Sequence, residues 1–306
     1  MKKFLISMLA ASIFVACDKP TTEVPVIEQP VSREWEIEQG FVHFTTEEDF
    51  NTVVNDWGKI QKIGEQKGFS EFGANERARK GKNSENIPEK LAKILNEDGI
   101  LQIGRWIFKM DFSQKVVFVI DEKNKSKLLS SLIEGKKGEN VYQFSFEDEI
   151  LQLLETGAKE SIPNPPKNGR VALFCQSPGI GGTNHSDCKT IPQGQIGAGI
   201  LVCASNQYDK YGIYFEAFAL LKVQSPDNPS TFVIQNYDMV HNWENNCGKT
   251  GWDSFAGRSF GFDNNAGEWR SKHWVYTGTR GLRKLYLDVK WRYATLLFYP
   301  AIIDKP

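Results

Sequence analysis

From Lys284 to Arg292 apolar and polar side chains alternate without a break, with Leu285, Leu287, Val289 and Trp291 on one parity and Lys284, Tyr286, Asp288, Lys290 and Arg292 on the other. A period of two is that of an extended strand with one buried and one wet face. A strand of this kind belongs in an antiparallel sheet packed on a second layer. Further strand candidates cover 171–175, 196–203, 211–223 and 231–237, the last strand running over 283–299. The 211–223 segment is apolar on both parities, as a central strand requires. Residues 170–306 therefore read as an antiparallel β domain, sandwich or barrel-like, with long loops rich in Trp, Gly and Asn.

The chain ahead of it reads differently. Thr45 and Glu48 form a capping-box pair before Phe50, Val53, Val54 and Trp57, whose i, i+3, i+4, i+7 spacing predicts a helix from about 46 to 57. A second helix follows over 59–67 and stops at Gly68. A third opens at Pro88, buries Leu91, Ile94 and Leu95, and ends at Gly99. Segments 100–110 and 116–120 then predict a β-hairpin, and Ser145 caps a helix with Phe146, Ile150, Leu151 and Leu154 inward. Residues 40–158 read as a small α+β domain. The segment 159–169 carries three prolines and a glycine, which exclude helix and central strand alike and mark a linker. The fold class expected is α+β: a helix and hairpin domain, then the antiparallel β domain.

At the N-terminus, Lys2 and Lys3 precede an apolar run from Phe4 to Val15 and then Ala16-Cys17. A basic start, a short apolar stretch and a small residue before cysteine read as a lipoprotein signal over residues 1–16. The run is too short to span a bilayer as a helix. Cys17 is then the acylated first residue of the mature chain, and 17–39, rich in Pro, Thr and Glu, reads as a flexible tether. This reading places the body in a bacterial envelope, in the periplasm or at the cell surface.

The chain has five cysteines. With Cys17 assigned to lipid, Cys175, Cys188, Cys203 and Cys247 remain, and an even set in an exported domain suggests two disulfides. No C-x-x-C pair supports zinc. Spacing does not select among the three pairings; Cys175–Cys188 with Cys203–Cys247 is the one favoured. The formal net charge of −1 provides no electrostatic footprint for nucleic acid, which excludes that partner class.

The stretch Phe44-Thr45-Thr46-Glu47-Glu48-Asp49-Phe50 with Trp57, then Gly68-Phe69-Ser70, then Ile94-Leu95-Asn96-Glu97-Asp98-Gly99 leading into an aromatic strand, resembles a pattern of uncharacterised cell-envelope lipoproteins of Bacteroidetes-type bacteria. The later Tyr211-Gly212-Ile213-Tyr214-Phe215-Glu216 resembles their C-terminal halves. The resemblance implies an envelope location and a two-part layout, with no activity and no functional residue.

Catalytic motifs do not hold up. Ser186-Asp187-Cys188-Lys189 and Lys249-Thr250-Gly251 spell S-x-x-K and K-T-G, but Pro192 and Gly194 deny the helix that would bring Ser beside Lys. Gly248-Lys249-Thr250 ends like a phosphate loop without its leading glycine. The four histidines show no ligand spacing, so no metal centre and no cofactor is expected. What stands apart is 241–281, where Trp243, Trp252, Trp269 and Trp274 are interleaved with Asn245, Asp263 and other Asn and Asp residues. Flat rings beside short amides and carboxylates suit a glycan or protein ligand, since rings stack while amides direct hydrogen bonds. The expected function is a lipid-anchored, non-enzymatic binding or structural role. The alternatives are a glycan-binding accessory protein and a hydrolase using carboxylates such as Asp253 and Glu268.

Overall fold

The computed structural model describes residues 34–73, 87–136, 138–155, 180–191, 200–224, 235–259, 268–293 and 296–305. Strands dominate, helices are few, and the sheets are open and largely antiparallel. The first sheet has six strands in sequence order: β1 Trp35–Glu38, β2 Phe41–Phe44, β3 Ile100–Ile103, β4 Trp106–Asp111, β5 Val116–Asp121 and β6 Tyr142–Ser145. Among the described strands of this sheet β2 and β3 are the one parallel pair, and a parallel pair needs a long crossover. Among the described residues, helices α1 Glu47–Val54, α2 Trp57–Gly64 and α3 Glu89–Ile94 lie on that crossover. Helix α4, Lys125–Ile133, follows β5, and α5, Ile150–Glu155, follows β6.

Local chemistry explains most of these boundaries. The cap of α1 is Thr46, one residue later than the sequence suggests; its hydroxyl accepts the Asp49 amide and donates back to the Asp49 carboxylate. Asp56 then starts α2 by the same device, so the helix expected over 46–57 ends at Val54 and the second, expected over 59–67, begins at Trp57. The first expected strand of the hairpin, 100–110, is broken at Gly104, whose positive φ turns β3 back along β4. β1 lies inside the segment expected to be tether. Its hairpin with β2 turns on Gln39 and Gly40, both at positive φ, the type I′ geometry that matches strand twist.

The sheet buries both faces. Phe44, Phe50, Val53, Ile60, Leu91 and Phe108 share a core beneath α1 to α3, while Phe41, Ile107, Phe118 and Leu132 form another beneath α4.

Two antiparallel sheets follow. β7 Thr183–Ile191, β8 Ile200–Lys210, β9 Phe215–Gln224, β10 Gln235–Asn245, β11 Thr250–Ser259, β12 Glu268–Gly278, β13 Leu282–Tyr293, β14 Leu296–Phe298 and β15 Ile303–Lys305 supply them. One runs β11-β10-β13-β14 with β15 also on β13, the other β12-β9-β8-β7. The strand apolar on both parities, β9, is central in its sheet, as expected. Leu285, Leu287, Val289 and Trp291 face Val202, Ala204, Ala217 and Leu221 across one core.

Two expectations are corrected here. The segment expected to be Trp-rich loops is mostly strand: Trp243 lies on β10, Trp252 on β11, and Trp269 and Trp274 on β12. Gly251 and Gly257 are strand positions and not turn signals. Gly251 stands opposite Trp243 and Gly257 opposite Tyr237 in the ladder, and a Cβ at either would collide with the facing aromatic side chain. Each glycine leaves room for an aromatic ring to lie across its strand. The favoured disulfide pairing is also overturned. The β7–β8 register sets Cys188 opposite Cys203, and these two are bonded. Cys247 is disulfide-bonded as well; Cys175, Cys17 and the 159–169 linker lie outside the described residues.

The stretch Arg33–Pro306 forms one compact unit, and two turns of the later sheets dock on the earlier part. Tyr211, Ile213 and Tyr214, between β8 and β9, enter the core under α1 to α3. A Cβ on Gly212 would meet Ile150 at 2.6 Å, and its φ is +75°, so this position requires glycine. In the β12–β13 turn, Arg280 Nε donates to Glu47 at 2.8 Å and its guanidinium reaches Glu155 at 3.0 Å, while Asn51 accepts the Thr279 amide at 3.1 Å.

Candidate functional site

Between these two docking turns the outer face of the four-stranded sheet meets the first part of the chain and leaves a groove of about 930 Å³. Strand register dictates its floor. Outward residues pair as Gln207 with Phe218 and Phe218 with Trp274, and Ser205 pairs with Leu220 and Leu220 with Lys272. Asp209 and Glu216 stand directly opposite one another at the end nearest Tyr211. Asn184 extends the floor on β7, and Trp57, Pro88, Phe112 and Phe146 make walls.

Glu216 organises the floor. Its side chain is 1% exposed and accepts from Lys272 Nζ at 2.7 Å, Trp274 Nε1 at 2.7 Å and Tyr214 Oη at 3.1 Å. Burying a carboxylate is tolerable only with such a set of donors. The result is a Trp274 ring pinned by its edge. One neighbour of that ring is Trp57, stacked at 6.5 Å between centroids; another is the Lys90 ammonium, 4.5 Å from its centre.

Burial moves the titrations of two neighbours. Asp209 is raised to about 6, chiefly by desolvation and then by the Glu216 charge, with Lys272 and the Tyr211 hydroxyl opposing. Lys90 is lowered to about 8, again chiefly by desolvation, with Glu216 opposing. A perturbed carboxylate lining a concavity, as Asp209 does, is a functional-site candidate. For Asp209 the folded pKa lies above the ordinary 3.8, so the folded state holds the proton more tightly and stability contributed by Asp209 falls as pH rises from about 4 to 6. Asp209→Asn is expected to flatten that fall while leaving stability at pH 4 nearly unchanged. Urea melts of both proteins across pH 4 to 7 check it; parallel curves would refute it.

The four tryptophans do not share one surface. Trp274 lines the groove, whereas Trp243 lies beside Tyr276, at 4.8 Å between centroids, in a separate cavity of about 510 Å³. Trp252 is 69% exposed on the opposite face of the sheet from Trp243, because it pairs with Asn242. Asn245 lines the Trp243 cavity, but its side-chain Oδ1 accepts the amides of Cys247 and Lys249 and so closes a turn. Asp263 lies outside the described residues, as do the side chains of Trp269 and Glu268. Asp253 is on the exposed strand β11 and lines neither cavity. Ser186 and Lys189 are three apart on β7 and therefore point to opposite faces, so the S-x-x-K reading has no geometry.

Sequence reading missed Glu216, Asp209, Lys272, Lys90 and Trp57 as site residues. One signal was available: Glu216 is a carboxylate in the middle of an apolar run, a position that demands buried donors. No helix among the described residues is long and apolar enough to cross a membrane. No protein-family model matches the chain, and no curated protein matches it.

Proposed function

We propose that this chain is an exported, lipid-anchored envelope protein, a small α+β domain followed by an antiparallel β domain, that binds a glycan segment in the groove between them. The observation that carries the reading is the Trp274 ring held by Glu216 beside a row of hydroxyl and amide groups, Ser205, Gln207 and Asn184, on one sheet face. A fixed ring stacks on a sugar face, and amides select its hydroxyls. A basic start, apolar run and cysteine at residues 2–17 support export and anchoring.

The hydrolase reading fares less well. Asp209 and Glu216 face one another, but the Glu216 oxygens are committed to three donors. A carboxylate so engaged orients a ring and does not deliver a proton to a substrate.

Glycan-array screening followed by calorimetry tests the proposal. Gln207→Ala should weaken binding by about 1 kcal/mol, ~5-fold, the contribution of a neutral hydrogen bond. Trp252→Ala, on a different face, should leave affinity unchanged. Loss of binding in the Trp252 variant with none in the Gln207 variant would move the site to β11, and no array binding at all would end the glycan reading.

A further inference from the structure

A second constellation lies at the start of the six-stranded sheet, away from the groove. The β1–β2 register places Glu36 directly opposite His43, and Glu38, two residues from Glu36, projects from the same face. His43 Nδ1 is buried with no hydrogen-bond partner. It faces Glu36 Oε1 at 3.5 Å and Glu38 Oε2 at 3.7 Å, too far for hydrogen bonds, and one atom from each side chain lies within 4.8 Å of the other two. A tetrahedral zinc ion bound at 2.0–2.2 Å to nitrogen and oxygen spaces its ligands roughly 3.3–3.6 Å apart. The His43–Glu36 separation falls on the edge of that tetrahedron and the His43–Glu38 separation lies about 0.1 Å beyond it. Glu36, 58% exposed, has the freedom to close the third.

We infer that Glu36, Glu38 and His43 form a binding site for a divalent transition metal of the zinc class, clipping the edge strand β1 to β2. One imidazole and two carboxylates are a borderline donor set suited to such ions and poor for magnesium, which prefers oxygen alone. Lys125 Nζ donates to the other oxygen of Glu38, Oε1, at 2.7 Å. It thereby holds Oε2 toward His43, as supporting groups commonly do for ligating carboxylates. The two-residue turn fixes the register before any ion arrives, so three donors are prepositioned and a fourth position is left for water.

Calorimetric titration of the full chain with zinc chloride tests this. One saturable site is expected, with a rise in the thermal midpoint as the ion binds the folded state. His43→Ala and Glu36→Gln should each lower zinc affinity by at least ~10–100-fold, since even a supporting partner is worth that much, and should abolish the thermal shift. Glu36 is on the surface, so its variant decides the matter if the His43 variant folds poorly. Zinc binding that survives Glu36→Gln, equal competition by magnesium, or no saturable binding would overturn the assignment.

Discussion

Glu216→Ala is expected to destabilise the protein by about 3–5 kcal/mol, the cost of removing one partner from a buried charged pair. The loss comes from what is left behind. Lys272 would keep its ammonium against the Phe218 ring, 3.6 Å from the centroid, with no counter-charge from Glu216, and Trp274 Nε1 and Tyr214 Oη would lose their acceptor. Lys90 would feel less negative charge and become still harder to protonate. Glu216→Gln should cost less, because a carbonyl oxygen can still accept from Trp274 while the ion pair is lost. Equilibrium urea unfolding of both variants measures the difference. A loss below about 1 kcal/mol for Glu216→Ala, the level of a surface pair, would show that the cluster does not hold the groove floor together.

What the sequence makes legible is what depends on neighbours along the chain. The 3.6-residue stripe of Phe50, Val53 and Val54 and the two-residue alternation through Trp291 both report local burial, and both elements form as expected. Helix α3 begins just after Pro88 for the same reason. Strands β7 and β11 escape notice because their apolar content is low and their stability is borrowed from partner strands. Glycines at 251 and 257 carry a turn signal locally. Only the ladder shows that each faces an aromatic ring.

The two sites are less legible still, because register across strands assembles them. Glu36 and His43 are seven apart in sequence and adjacent in space only through a turn at Gln39 and Gly40. The Pro- and Glu-rich composition before Gly40 reads as tether, which conceals Glu36 and Glu38. The groove joins Trp57 to Trp274 across more than two hundred residues. The disulfide illustrates the same limit: nearness in sequence favours Cys175 with Cys188, whereas the antiparallel pairing of β7 and β8 selects Cys188 with Cys203.

Cys17→Ser is expected to abolish lipid attachment, the largest change predicted for the intact chain. In the lipoprotein reading the Cys17 thiol is the acylation site, and each acyl methylene buried in the bilayer contributes ~0.8 kcal/mol, so two or more chains hold a protein stably while one alone holds it marginally. No helix among the described residues is long and apolar enough to cross the membrane in its place. Serine has no thiol to alkylate, and signal processing that depends on prior acylation stops as well. Two readouts separate these consequences. Labelled fatty acid should appear in the wild-type chain and not in the variant, and the variant should either fractionate as soluble or keep residues 1–16 uncut. Equal labelling of the two proteins would place the lipid elsewhere or remove it from the account, and membrane association of a fully processed Cys17→Ser chain would require a second anchor.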